Sequence, residues 1–100
     1  MNKMLEEGTI SDVNIMYSFR TALMHQAEHG TVEDMTFLLA HDALPNLKGR
    51  GGNTALHYAV LSNDPAKVRL LLDRRAEKTI MNNRGETALD WARNYTVFRL

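Results

Sequence analysis

The chain contains no cysteine. That excludes disulfides, a thiol nucleophile and any cysteine-ligated zinc, and it fits a reducing compartment. Its apolar runs all fall short of the roughly 18 residues that a membrane span needs, and Met1 to Ile10 lacks the apolar core of a signal peptide. Net charge is also absent, with 12 Lys/Arg against 12 Asp/Glu. The chain therefore offers no strongly basic face to nucleic acid or anionic lipid. These absences point to an intracellular protein, cytoplasmic or nuclear, with neither a nucleic-acid nor a membrane partner. Asn94-Tyr95-Thr96 fits a glycosylation sequon, but without a secretory signal it reads as chance. What is present is ordinary for a single globular domain: 100 residues, 44% apolar and 24% charged. The charge balance hides a polarity, since residues 1–50 carry four basic and seven acidic residues and residues 51–100 carry eight and five.

The tripeptide Thr-Ala-Leu occurs at Thr21, Thr54 and Thr87, spaced by 33 residues each time. Leu38-Leu39 returns as Leu71-Leu72, Ala43 as Ala76, and Gly52 as Gly85 at the same interval. A fixed period of this length defines an array of repeated supersecondary units. With Gly52-Asn53-Thr54-Ala55-Leu56-His57-Tyr58-Ala59 as its best copy, the chain resembles the ankyrin repeat family. The resemblance implies an all-α helical solenoid with short β-hairpin-like fingers between helix pairs. Two full repeats, 18–50 and 51–83, are expected between a partial repeat at 1–17 and another at 84–100, all in one domain. Asp12-Val13-Asn14 resembles the end of a repeat, although Asn14 precedes Thr21 by 7 residues where Asn46 precedes Thr54 by 8.

Local signals agree with the period. Thr21 to His29 and Thr54 to Ser62 read as first helices. Second helices are expected over Thr31 to Ala40, capped by Thr31, and over Pro65 to Arg74, capped by Asp64 with proline at its first position. Val68, Leu71 and Leu72 form the buried stripe of the latter, with Lys67, Arg69 and Asp73 expected outside it. Asn63 stands at a turn usually held by glycine. Asp42 and Arg75 stand where the family ends its second helix on glycine, so strain or an altered cap is expected there. Two alignments of the first helix remain open. One sets Met24 against His57 and Gln26 against Ala59, in agreement with Gly30 and Leu38-Leu39. The other, slipped by one residue, sets His25 against His57 and Ala27 against Ala59. Leu23, Leu56 and Leu89 should form a core ladder, joined by Leu38/Leu71 and Leu39/Leu72.

No chemical motif survives comparison with a structural role. His25 and His29 have a metal-compatible spacing, but no third ligand is evident, so they read as surface histidines. His57 is, by the resemblance, a buried imidazole bonded to neighbouring backbone. Gly49-Arg50-Gly51-Gly52 lacks the order of a phosphate-binding loop and reads as turn glycines. Ser18, Ser62, His57 and Asp90 do not assemble a triad. No enzyme activity, cofactor or metal is expected.

What remains is a surface. The family resemblance implies partner binding through finger tips and the concave face of the first helices. Those positions are Tyr17, Phe19, Arg20, Lys48, Arg50, Asn53, Asn82, Arg84 and Glu86 on the fingers, and His25, Tyr58, Leu61, Trp91, Asn94 and Tyr95 on the helices. Tyr58 and Trp91, 33 apart, are expected side by side on the concave face, where aromatic residues and arginine make binding hot spots. The expected function is a non-enzymatic protein-protein interaction module. Alternatives are weak self-association through apolar repeat ends (Met4, Leu5 and Ile10; Val97, Phe98 and Leu100), or a segment of a larger regulatory or host-directed protein. The Gly52 to Tyr58 and Gly85 to Asp90 stretches also resemble the ankyrin segment of some Arf GTPase-activating proteins, whose catalytic zinc needs cysteines that this chain lacks.

Overall fold

The computed structural model describes residues 14, 16 and 20–94. Among the described residues five α-helices follow one another, α1 Ala22–His29, α2 Val32–Ala40, α3 Ala55–Leu61, α4 Pro65–Asp73 and α5 Ala88–Asn94, with a 3-10 turn Arg50–Gly52 between α2 and α3. The array is all-α, and no strand occurs among the described residues. The apolar residues expected at the repeat ends, 4, 5, 10, 97, 98 and 100, lie outside the described residues.

One device starts all three first helices. The N–H of Thr21 donates to Met24 Sδ at 3.5 Å, that of Thr54 to His57 Nδ1 at 3.1 Å, and that of Thr87 to Asp90 Oδ2 at 3.0 Å. A sulfur, an imidazole and a carboxylate thus fill the same place in three capping boxes, each satisfying a donor that a helix start leaves open. This sets Met24 against His57, so the first helix is unslipped. The odd spacing has another origin. Asn14 accepts from the Leu44 N–H at 2.8 Å and donates to the Asp42 carbonyl at 3.3 Å, while Asn46 accepts from the Glu77 N–H at 2.8 Å and donates to the Arg75 carbonyl at 3.2 Å. The two asparagines do one job, so the missing residue falls between Asn14 and Arg20, ahead of the helix.

The second helices end as the glycine alignment foretells. Asp42 and Arg75 have φ of 73° and 74°. The following N–H groups, of Ala43 and Ala76, reach back to Leu38 and Leu71 carbonyls at 3.0 and 2.9 Å. This is a Schellman closure with non-glycine residues in its left-handed position. Asn63 likewise takes φ 59° at the turn between α3 and α4. At the starts, Thr31 Oγ1 accepts from the Asp34 N–H at 3.1 Å and Asp64 Oδ1 from the Ala66 N–H at 3.0 Å.

Helices α1, α3 and α5 stack in one row, with α2 and α4 packed in a second row behind them. Leu23, Met35, Leu56, Val68 and Leu71 fill the space between rows and neighbours. The ladder is uneven: Leu38, Leu39 and Leu89 are half-buried and Leu72 is exposed. Lys67 departs from expectation. It is 5% exposed, because its stem lies in the stack and its ammonium donates to the Ala27 carbonyl in the last turn of α1 at 3.2 Å. A lysine can bury its methylenes when the charged head finds an acceptor.

Candidate protein-binding surface

Arg20, Asn53 and Glu86 occupy one column, each just before a capping threonine. All three are engaged within the fold. The Arg20 guanidinium pairs with the Glu28 carboxylate and lies over the Tyr58 ring, 4.5 Å from its centroid, a cation–π contact. Asn53 accepts from Asn82 Nδ2 at 2.9 Å and donates to the Arg50 carbonyl at 3.2 Å. The Glu86 carboxylate accepts from Trp91 Nε1 at 2.7 Å and from Asn82 Nδ2 at 3.1 Å. These donors hold the Glu86 carboxyl below its ordinary pKa, with the Trp91 N–H the larger cause.

The two aromatic rings are therefore packed into the stack rather than displayed. Tyr58 is 5% exposed and Trp91 8%. Arg20 covers the first, and the second meets the His57 ring edge-on with centroids 5.1 Å apart. Position within the repeat set their adjacency to the first-helix row, but the residue before each cap decided their exposure.

His57 lies behind this layer, fully buried. Its Nδ1 accepts from the Thr54 N–H, so the proton sits on Nε2, which donates to the Glu86 carbonyl at 2.9 Å. Burial pushes its pKa down, against the opposing pull of the Glu86 carbonyl. Asp90 is held below the usual carboxylate range, chiefly by the Thr87 backbone N–H.

The fingers are turns with matching main-chain closures: Gly49 N–H to the Asn53 carbonyl and Asn82 N–H to the Glu86 carbonyl, both 2.8 Å, with the Gly52 and Gly85 N–H groups returning to the Gly49 and Asn82 carbonyls at 2.9 and 3.0 Å. The Asn83 N–H joins them by donating to the Gly51 carbonyl at 2.9 Å. A Cβ on Gly52, at φ 78°, would come 2.8 Å from the Asn83 nitrogen, so glycine permits this approach. Asn82, 7% exposed, is the residue that sequence reasoning missed as an organiser. Its Oδ1 accepts from the N–H groups of Arg84 and Glu86 at 2.9 and 3.0 Å. The available signal was its place four residues before Glu86, in the column of Gly49.

Of the expected surface, His25, Lys48, Arg50, Leu61 and Arg84 are exposed. Tyr17, Phe19 and Tyr95 lie outside the described residues. His25 and His29 stack with centroids 5.2 Å apart, and His29 shares the Glu28 carboxylate with Arg20 at 3.2 Å. No group of three or more His, Asp or Glu among the described residues is placed to hold a metal.

Helix pairs stacked at a 33-residue interval, with capped first helices and turn-built fingers, define a helical repeat protein. The sequence model described as ankyrin repeats, in three copies, matches residues 1–82, and the chain belongs to the ankyrin repeat family. A putative ankyrin repeat protein of Acanthamoeba polyphaga mimivirus is 34% identical over 80 residues, covering 80% of this chain and 18% of that protein. The human mitochondrial disaggregase is 43% identical over 60 residues, which is 60% of this chain and 8% of the relative. The human NAD-capped RNA hydrolase is 36% identical over 67 residues, or 66% and 14%. The chain thus spans less than a fifth of the length of these relatives.

Proposed function

We propose that this chain is a non-enzymatic module that binds another protein through its fingers and the adjoining exposed positions of its first helices. Membership of the ankyrin family supplies the general role of protein interaction. The observation that carries the reading is the set Lys48, Arg50 and Arg84: exposed, on adjoining fingers, and without an ion-pair partner among the described residues. Arg20, Asn53 and Glu86 beside it are engaged inside the fold, which leaves these three cations to outside contacts. Whatever activity a longer host protein carries would come from its other parts; a cysteine-free chain suits a reducing cytoplasm or nucleus.

The test is affinity capture from cell lysate with wild type and with Lys48→Ala/Arg50→Ala/Arg84→Ala, after circular dichroism shows equal helicity. A protein held by wild type and lost by the variant supports the reading. Identical captures would sink the finger surface. Self-association is a second reading, favoured by Phe37, which is 60% exposed on α2. Sedimentation of wild type against Phe37→Glu over a concentration series separates the two, since only self-association gives a mass that rises with concentration and falls in the variant.

A further inference from the structure

We infer that the finger ridge takes an acidic peptide segment carrying apolar residues, an assignment that rests on the protein-binding reading and names its partner class. Arg50 and Arg84 flank the pair Gly51 and Asn83, joined by a 2.9 Å main-chain bond. That bond places the two arginine Cα atoms within about 13 Å of each other. Lys48 precedes Gly49, whose N–H closes the same finger on the Asn53 carbonyl at 2.8 Å. Met81, 33 residues after Lys48 and 54% exposed, holds the matching place on the next finger and offers an adaptable apolar contact. A Cβ on Gly85 would meet no atom within 4 Å, so the ridge is open beside Arg84.

The carboxylates are elsewhere. Glu86 is the one acid within residues 47–53 and 80–86, and its carboxylate already serves Trp91 and Asn82. The exposed acids among the described residues, Glu33, Asp34, Asp42, Asp73 and Glu77, lie on α2, on α4 or just past their ends. Three cations without an ion-pair partner among the described residues, beside an exposed methionine, complement a chain of carboxylates interrupted by apolar side chains. A nucleic acid fits less well: the chain has no net charge, and a thioether offers no stacking platform for a base.

The experiment is fluorescence anisotropy with a fluorescein-labelled peptide of Asp and Glu interrupted by single Leu residues. Its companions are the same peptide with Asn and Gln in place of the acids, and a single-stranded oligothymidylate of equal charge. Wild type, Arg50→Glu/Arg84→Glu and the outer-face control Arg69→Glu/Arg74→Glu are compared at low and high salt, after circular dichroism confirms folding. The acidic peptide should bind wild type and the control, weaken with salt, and lose at least about tenfold in affinity to the finger variant. Equal loss in both variants, preference for the neutral peptide or the oligonucleotide, or no binding to wild type would overturn the acidic assignment. A random-peptide display selection on wild type then separates the two levels. Non-acidic ligands that the finger variant no longer binds remove the acidic class and leave the protein-binding reading. Ligands indifferent to the finger variant remove both.

Discussion

His57 Nε2 donates to the Glu86 carbonyl oxygen at 2.9 Å, and this bond crosses from α3 to the finger before α5. It exists with a neutral imidazole whose Nδ1 accepts from Thr54. Because burial lowers the folded-state pKa below the ordinary 6.5, the unfolded chain binds the proton more readily. The stabilisation is thus complete above about pH 6.5 and is lost as pH falls toward the folded value. Thermal melts should show a constant midpoint above neutrality and a decline below pH 6.5. His57→Asn, which keeps an acceptor for Thr54 but cannot titrate, should melt lower and lose that decline. Glu86 and Asp90, depressed from ordinary values of 4.5 and 3.8, add stability above those values that is lost below them, in both proteins.

Gln26 occupies the column of Ala59 and Ala92, yet its Oε1 is buried without a partner. The amide lies against Gly30, where it would overlap any Cβ. Leaving a buried acceptor unsatisfied costs about 1–3 kcal/mol, and alanine is also the better helix former. Gln26→Ala should therefore raise stability by about 1 kcal/mol in urea unfolding with the slope unchanged. A lower midpoint would mean that the packing of the glutamine stem outweighs its orphaned oxygen.

Arg75 and Asp42 hold the same left-handed position, with φ of 74° and 73°. Left-handed backbone costs an ordinary L-residue roughly 1–2 kcal/mol, and Asp tolerates it better than Arg. Glycine at either site offsets part of that gain by loosening the unfolded chain. Arg75→Gly should stabilise by about 1 kcal/mol, and Asp42→Gly by less. Equal midpoints for the two variants in parallel denaturation would contradict this ranking.

These sites were legible because a repeat supplies its own control: Asp42, Asn63 and Arg75 stand at positions where the pattern demands glycine. The match of His57 with Asp90 was legible for the same reason, whereas Met24 joined that column only through the contact of the Thr21 N–H with its sulfur, which chose between two open alignments. Periodicity failed where one long side chain overrode its position. Lys67 read as an outer-face charge, since the pattern carries no sign of the Ala27 carbonyl waiting on another helix. Tyr58 and Trp91 read as displayed rings, since their burial depends on how Arg20 and Glu86 fold across them. Asn82 read as a partner-facing finger position, because the pattern does not show that its side chain folds back onto Arg84 and Glu86 of its own finger and reaches Asn53 of the neighbouring one.

Lys67 supplies the next test. Its ammonium satisfies the Ala27 carbonyl from within the stack, and hydrogen bonds to charged groups contribute about 1.5–3 kcal/mol. Lys67→Ala should cost about 2–3 kcal/mol, since it removes both stem and donor. Lys67→Met keeps the stem and should fall between wild type and alanine. If alanine and wild type unfold at the same urea concentration, the buried lysine contributes nothing net.

Asn82 gives the sharpest test of the finger architecture. Its oxygen holds the Arg84 and Glu86 N–H groups, and its amide nitrogen bridges Asn53 and the Glu86 carboxylate. Asn82→Ala removes all four bonds, and loss of buried partners on this scale should cost about 2 kcal/mol or more. The damage should be local first: amide hydrogen exchange at Arg84 and Glu86 should accelerate far more than at Leu56 or Leu71. Asn82→Asp retains the acceptor but sets a second carboxylate against Glu86, so its stability should recover as pH falls and one of the pair protonates. If the aspartate variant instead follows wild type across the acid range, the nitrogen-to-Glu86 bond is not what holds the fingers together.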